Sequence, residues 1–384
     1  MIYSKKRYKI LLTPQTPLFI GDGKRLTKKE YAYSDEKEKI YILHPQKFFG
    51  FLRQEDLLKH YEEFMKDESM SDLSEWFSDY NIELSENQPW VAYSVKKNGN
   101  DPFKANEIHC FIKNGYGKPY IPGSSLKGAF RTAILVSLLK DNDWPNLDHI
   151  KEKYQKLNKK GFSDCGTEVS NIAESNRDLE QQLLNHLGLN RKRKHALNDM
   201  MRAIRIYDSS SIEGNCLSLC KKVDVSCNQG IKEEHEINML RESLTLKKEI
   251  EMEMTIDEQL LKRVSCLDAF ADDYVQMIHH AIQQYGETVS QYFVNHFKDA
   301  VKPEKDTIYL GGGTGLASKT ILPSLLGDEG ARDAISRILY TNFSSTHKHD
   351  ILDTQVSPHI LKCTKQEDNV AVQFGMCKIK IVEL

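Results

Sequence analysis

The 384-residue chain has no apolar run long enough to cross a bilayer, and its longest aliphatic stretch, Ile134 to Leu139, is interrupted by Ser137. Met1 to Ile10 is basic but lacks the apolar core of a secretory leader, so a cytoplasmic protein without membrane contact is expected. Cysteine is sparse: eight residues, neither evenly spaced nor clustered, argue for reduced thiols rather than a disulfide framework. Cys216, Cys220, Cys227 and His235 stand at C-x3-C-x6-C-x7-H, a spacing that fits no common zinc motif, and they read as small core residues. His347-Lys348-His349-Asp350 and His279-His280 lack the further donors of a metal site, so neither metal nor cofactor is expected. There is also no excess charge of either sign: 53 Lys and Arg face 55 Asp and Glu, so net charge alone says nothing about nucleic acid.

The distribution of charge says more. The first 29 residues carry eight basic side chains, Lys24 and Arg25 among them, against the single acid Asp22. Arg191 to Arg205 carries six more, including Arg202 and Arg205, against Asp199. Glu55 to Glu86 holds eleven acids and only Lys59 and Lys66 as bases. One face could therefore meet phosphate while another meets solvent or a basic partner.

The length exceeds one ordinary core, and two domains with insertions are expected. Strand signals fall at Tyr8 to Leu12, Leu18 to Ile20, Lys39 to Leu43, Trp90 to Val95 and Glu107 to Ile112, the last two as a pair connected around Asn98-Gly99-Asn100. Helices are predicted after Pro45, at Glu55 to Phe64, at Leu73 to Tyr80 and, capped by its serines, at Ser124 to Lys140. Residues 1–140 form the first expected domain. Residues 141–200 follow as a helical, partly mobile insertion whose basic end, Arg191 to Lys194, is expected to be disordered. Residues 201–384 form the second domain, with strands at Ala203 to Tyr207, Cys216 to Val225, Lys248 to Ile256, Asp306 to Leu310 and Cys377 to Val382 and a helix near Lys319. In Lys248 to Ile256 glutamates alternate with Ile250, Met252 and Met254, which implies one buried face and one that repels phosphate.

Two stretches carry chemical information. In Tyr120 to Ala133, the turn at Gly123 leads into a helix that opens on Ser124 and Ser125 and places Lys127 and Arg131 together on its flank. Cations in the first turns oppose the helix dipole unless an anion sits at the helix start, so the pattern points to phosphate. The second stretch is Gly311-Gly312-Gly313-Thr314-Gly315-Leu316-Ala317-Ser318-Lys319-Thr320. It approaches a P-loop, but Ser318 occupies the second required glycine and no Asp-ended strand follows convincingly to hold magnesium, which leaves a P-loop ATPase the weakest alternative. The same glycines let amides crowd around phosphate oxygens of an RNA backbone. Val at Gly312 and Gly313 is expected to block this, and Ala at Gly311 to be milder.

These motifs, taken with the opening Thr13 to Gly23, Arg202 to Ser210, Ser357 to Lys362 and Gly375 to Ile379, resemble the RAMP superfamily of CRISPR proteins. More closely, they are similar to the fifth subunit of the type III-A (Csm-type) complex, which caps the crRNA 3′ end. The resemblance implies an α+β fold of tandem ferredoxin-like (RRM-like) domains with crRNA held by glycine-rich loops; with two phosphate-gripping loops and no convincing nuclease constellation, a non-catalytic role in crRNA 3′-end maturation is expected. It implies as partners the 3′ portion of crRNA, the repeated backbone RAMP subunit and other Csm-type subunits. Target RNA and a host nuclease are partners the sequence leaves open. The aromatic RNP1 pattern is absent, as suits a protein that grips backbone rather than bases. Some relatives are metal-independent endoribonucleases with a histidine near the first strand-to-helix junction, where His44 stands; this is the runner-up activity. Asp22 is the candidate by position for the target-cleaving aspartate of backbone subunits, although Gly21 and Gly23 around it make a plain turn.

Overall fold

A computed structural model describes residues 5–67, 72–98, 105–228, 234–245, 247–365 and 370–384. In chain order the strands are β1 (Lys5–Pro14), β2 (Gly21–Thr27), β3 (Tyr31–Ser34), β4 (Lys39–Leu43), β5 (Val91–Lys97), β6 (Glu107–Phe111), β7 (Ile204–Ile206), β8 (Leu217–Ser226), β9 (Glu234–Leu244), β10 (Ile250–Asp257), β11 (Thr307–Tyr309), β12 (Ile360–Lys365), β13 (Ala371–Gln373) and β14 (Met376–Glu383). The helices are α1 (Pro45–Gln54), α2 (Leu58–Lys66), α3 (Leu73–Asp79), α4 (Gly123–Asp141), α5 (Asp148–Asn158), α6 (Gly166–Leu184), α7 (Glu258–Leu261), α8 (Tyr274–Tyr292), α9 (Leu322–His347) and α10 (His349–Leu352). No helix among the described residues is long and apolar enough to cross a membrane.

One sheet runs β11-β14-β1-β10-β7 with every neighbouring pair antiparallel. Strand alternation decides its faces: Tyr8, Ile10 and Leu12 of β1 and Ile250, Met252, Met254 and Ile256 of β10 are buried. On the other face Arg7 meets Glu253 and Lys9 meets Glu251, each at 3.0 Å, while Lys6, at the edge of the first face, meets Glu258 at the start of α7 at 3.0 Å. Part of the N-terminal basic cluster is therefore spent on cross-strand ion pairs. Taken in chain order, β1, α4, β7, β10, α8 and β14 form a β-α-β-β-α-β series whose strands lie 4-1-3-2 across the sheet, with α4 packed on α8.

The second sheet runs β2-β6-β9-β8-β5-β4-β3, with β12 also on β8 and β13 on β12. The expected β5–β6 pair does not form: β8 and β9 pair with each other between them, in parallel contact with β5 and β6 respectively. Part of the expected connection at Asn98-Gly99-Asn100 lies outside the described residues. Both sheets take strands from residues 1–140 and from 201–384, and one hydrophobic core runs through both halves. Helices α1 to α3 close a smaller aromatic core of Phe48, Phe64, Trp76, Phe77 and Trp90. Residues 141–200 carry α5, α6 and short 3-10 turns, and at their basic end Asn198 Nδ2 donates to the Lys192 carbonyl at 3.0 Å and Lys194 pairs with Asp178 at 2.6 Å. All eight cysteines are free; Cys220 is buried on β8, while Cys216 precedes that strand in a short 3-10 turn.

Candidate nucleic-acid interface

At the start of α4 the anion that the sequence called for is supplied by the chain itself. The Gly123 amide donates to Asp208 Oδ1 at 2.8 Å, and a Cβ on Gly123 would lie 2.3 Å from the Ile206 carbonyl oxygen, so this glycine is required by the close approach of α4 to β7. Ser124 and Ser125 do not cap the helix: the N-cap is Pro122, and the Ser125 amide donates to its carbonyl at 3.0 Å. Lys127 and Arg131 share a flank, but Arg131 is engaged by Glu180 at 3.1 Å and Asp199 at 2.6 Å. The half-buried Lys127 has its ammonium pushed below the ordinary lysine value by burial, and Arg131, Arg205 and Arg202 push it the same way against Asp199. Lys127 with the exposed Arg202 and Arg205 forms a cationic surface here.

The glycine-rich loop is stitched into the molecule. Gly312 N donates to the Phe19 carbonyl at 2.7 Å, Leu310 N to Gly375 at 2.8 Å and Gly375 N to Pro17 at 2.8 Å. Gly311, Gly313 and Gly315 adopt φ of +83°, +84° and +79°, which L side chains rarely take. A Cβ on Gly311 would lie 2.2 Å from the Phe19 carbonyl oxygen. Gly311→Ala, expected to be milder than Val at Gly312 and Gly313, still meets backbone where the methyl would go. The Thr314 hydroxyl donates to the Gly311 carbonyl at 3.2 Å, and Ser318 is buried, its hydroxyl donating to Thr314 and Gly315 carbonyls at 3.1 and 3.2 Å. The following helix begins at Leu322 rather than near Lys319, so the loop-to-helix geometry of a P-loop does not form and Lys319 is left exposed.

Arg241 and Lys362 join this loop and were missed as site residues by sequence reasoning. The Arg241 guanidinium lies between the rings of Phe19 and Phe374, 5.3 and 5.4 Å from their centroids, and its Nη1 would be 2.9 Å from a Cβ on Gly313. Its Nε and Nη1 are buried and have no hydrogen-bond partner. The adjacent Glu242 does not neutralise it, since successive strand residues point to opposite faces. Glu242 is fully buried and taken up by Tyr93 Oη at 2.8 Å, the Phe111 amide at 2.8 Å and Lys113 at 2.5 Å. Lys362 on β12 is lowered from the ordinary lysine value by burial and then by Lys222, Arg241 and Lys319, against the opposing carboxylate of Asp224. Of these cations Lys222 has its carboxylate, Asp224 at 3.2 Å. Buried guanidinium donors cost free energy unless an acceptor arrives, and clustered cations repel; a phosphate relieves both.

The remaining candidates lie at rims and turns. Asp22 lies within β2, where the pairing to β6 is irregular between Gly21 and Arg25; its carboxylate accepts from the Lys24 amide at 2.7 Å beside Gly23 at φ +88°, and Arg25 meets Glu107 at 3.5 Å. His44 is the N-cap of α1 ahead of Pro45; its amide donates to the Trp90 carbonyl at 2.8 Å and its Nδ1 is buried without a partner. His279 and His280 pair separately with Asp306 and Asp141, each at 3.0 Å.

The sequence model of the RAMP superfamily matches residues 11–317, and the chain belongs to that superfamily. Its relatives include the CRISPR system Cms protein Csm5 of Mycobacterium tuberculosis (strain CDC 1551 / Oshkosh), 25% identical over 402 residues with 98% of each chain covered. The protein of the same name from Streptococcus thermophilus is 25% identical over 327 residues, covering 82% of this chain and 80% of the relative. The fold is shared with a chain of a Csm–crRNA–target RNA ternary complex of a type III-A CRISPR-Cas system, at TM-score 0.68 and 19% identity over 97% of this chain and all of that one. It is shared also with T.onnurineus Csm5, at TM-score 0.62 and 17% identity, covering 96% and 99% of the two chains.

Proposed function

We propose that this chain is a non-catalytic, cytoplasmic RNA-binding subunit of a type III-A CRISPR ribonucleoprotein. It holds the 3′ portion of the crRNA through phosphates, beside the repeated backbone subunit, and is needed for crRNA 3′-end maturation. The observation that carries the reading is the half-buried Arg241, whose Nε and Nη1 are buried and unsatisfied, facing Gly313 amid Lys362, Lys222 and Lys319. Names of full-length relatives and the ternary-complex neighbour support the assembly. The 4-1-3-2 sheet is the ferredoxin-like plan, and the second sheet is read as its diverged partner.

Phosphate contacts carry no base information, so binding is sequence-independent and salt-sensitive. In the reconstituted complex, Arg241→Met with Lys362→Gln should weaken RNA binding at least about tenfold and lower the slope of log affinity against log salt by about 1. In cells, guides should still be cut at their repeats but fail to reach mature length. Unchanged affinity, salt slope and guide length with a folded, incorporated variant would overturn the reading.

A further inference from the structure

The His347-Lys348-His349-Asp350 run, dismissed on sequence for want of partners, acquires them in three dimensions. His349, Asp353 and His359 bring one ligand atom each within 4.8 Å of one another, and all three side chains are buried. His349 Nδ1 lies 2.9 Å from Asp353 Oδ2 and His359 Nδ1 2.6 Å from Oδ1. The same carboxylate accepts from the Ser357 hydroxyl at 2.5 Å and the His359 amide at 3.0 Å.

We infer that His349, Asp353 and His359 form a zinc-type transition-metal site, in the spacing H-x3-D-x5-H, with its fourth position open towards His347. The donor set, two imidazoles and a carboxylate, is that of borderline-soft divalent ions. Two imidazoles on one tetrahedral zinc put their ring centroids about 5 Å apart, given nitrogen–metal bonds of about 2.0 to 2.1 Å. The rings of His349 and His359 are 5.6 Å apart, and that of His347 is 5.7 Å from His349. Admitting the ion puts both neutral rings in the tautomer with the proton on Nε2, so that each Nδ1 lone pair faces the metal, and opens the nitrogen–oxygen separations to about 3.3 Å, a movement of under about 1 Å. Ser357 and the His359 amide stay as the outer hydrogen bonds that hold a ligating carboxylate in place. The bound segment leads directly into β12. It is tied to the core by Tyr292 Oη to the Ser357 carbonyl at 2.7 Å and by Asn228 Nδ2 to the Leu352 carbonyl at 2.8 Å. The ion would therefore fix the strand that carries Lys362.

The test uses the full chain, purified without chelator, dialysed against zinc and then metal-free buffer, with content read by mass spectrometry. About one zinc per chain is expected, with a rise in Tm over chelated protein and d–d absorption of tetrahedral cobalt after exchange. His349→Gln with His359→Gln keeps hydrogen-bond donors for Asp353 but binds zinc poorly, and should lose the metal at least tenfold while remaining folded. Wild-type protein that retains no zinc and shows no Tm response to added zinc would reduce the cluster to a hydrogen-bonded triad and overturn the inference. Zinc retained undiminished by the double variant would place the ion elsewhere and overturn it equally. Neither measurement involves RNA, so the outcome is independent of the proposed function.

Discussion

Gly311 and Gly315 have nearly the same backbone angle, φ +83° and +79°, and opposite surroundings. An added methyl at Gly311 would collide with the Phe19 carbonyl oxygen at 2.2 Å, whereas at Gly315 nothing lies within 4 Å. Gly315→Ala should therefore cost only the left-handed backbone, about 1–2 kcal/mol. Gly311→Ala should cost clearly more, because the Phe19 segment and its hydrogen bond to Gly312 must move as well. Denaturant midpoints of the two variants decide the matter; equal losses would mean that the loop yields freely. Arg241 escaped notice for a related reason. Nothing in a lone arginine among Glu234 to Leu244 announces that two phenylalanines from distant segments, Phe19 and Phe374, will enclose it.

Among elements, regular alternation made β1, β10 and β14 legible, and Pro45 placed α1. Strand β9 was not legible. It lies at the centre of the larger sheet yet carries Glu236, Arg241, Glu242 and Ser243, so it lacks the apolar period by which a strand is recognised. Its partners compensate, and one contact is testable. Glu236 joins β9 to Lys221 of β8 at 2.5 Å and to Lys365 of β12 at 3.0 Å; the Lys221 hydrogen bond first, then that of Lys365, lowers its carboxyl to about 2. A carboxyl lowered by folding adds stability above its unfolded value, near 4.5, and that contribution disappears as pH falls towards 2. Glu236→Gln should flatten the decline of Tm between about pH 4.5 and 2, modestly because the pair is partly exposed. An acid limb as steep as that of the wild type would show that these contacts contribute nothing to stability. The start of α4 was half legible: the cations pointed to an anion, but not to Asp208, distant in sequence, which accepts from the Gly123 amide, or to Glu180 and Asp199, which engage Arg131.

For the whole molecule, β1 and β14 are the decisive pair, since strands from near the two ends of the chain lie side by side within one sheet. β14 also holds β11 on its other edge and buries Met376, Cys377 and Ile379. Deleting residues 376–384 should abolish a cooperative thermal transition rather than shift it, because β11 loses its sheet partner and β1 one of its two neighbours. A truncated protein that melts cooperatively near the wild-type temperature would contradict this. The pairing also bears on when the molecule becomes able to act. A ribosome releases β1 first and β14 last, and Phe374 and Gly375, which complete the Arg241 enclosure and the glycine loop, emerge only just before β14. A nascent chain that has not yet reached Gly375 therefore holds no finished Arg241 enclosure. A chain whose synthesis stops before Phe374 would carry Arg241, Lys222, Lys319 and Lys362 with no completed enclosure around the guanidinium.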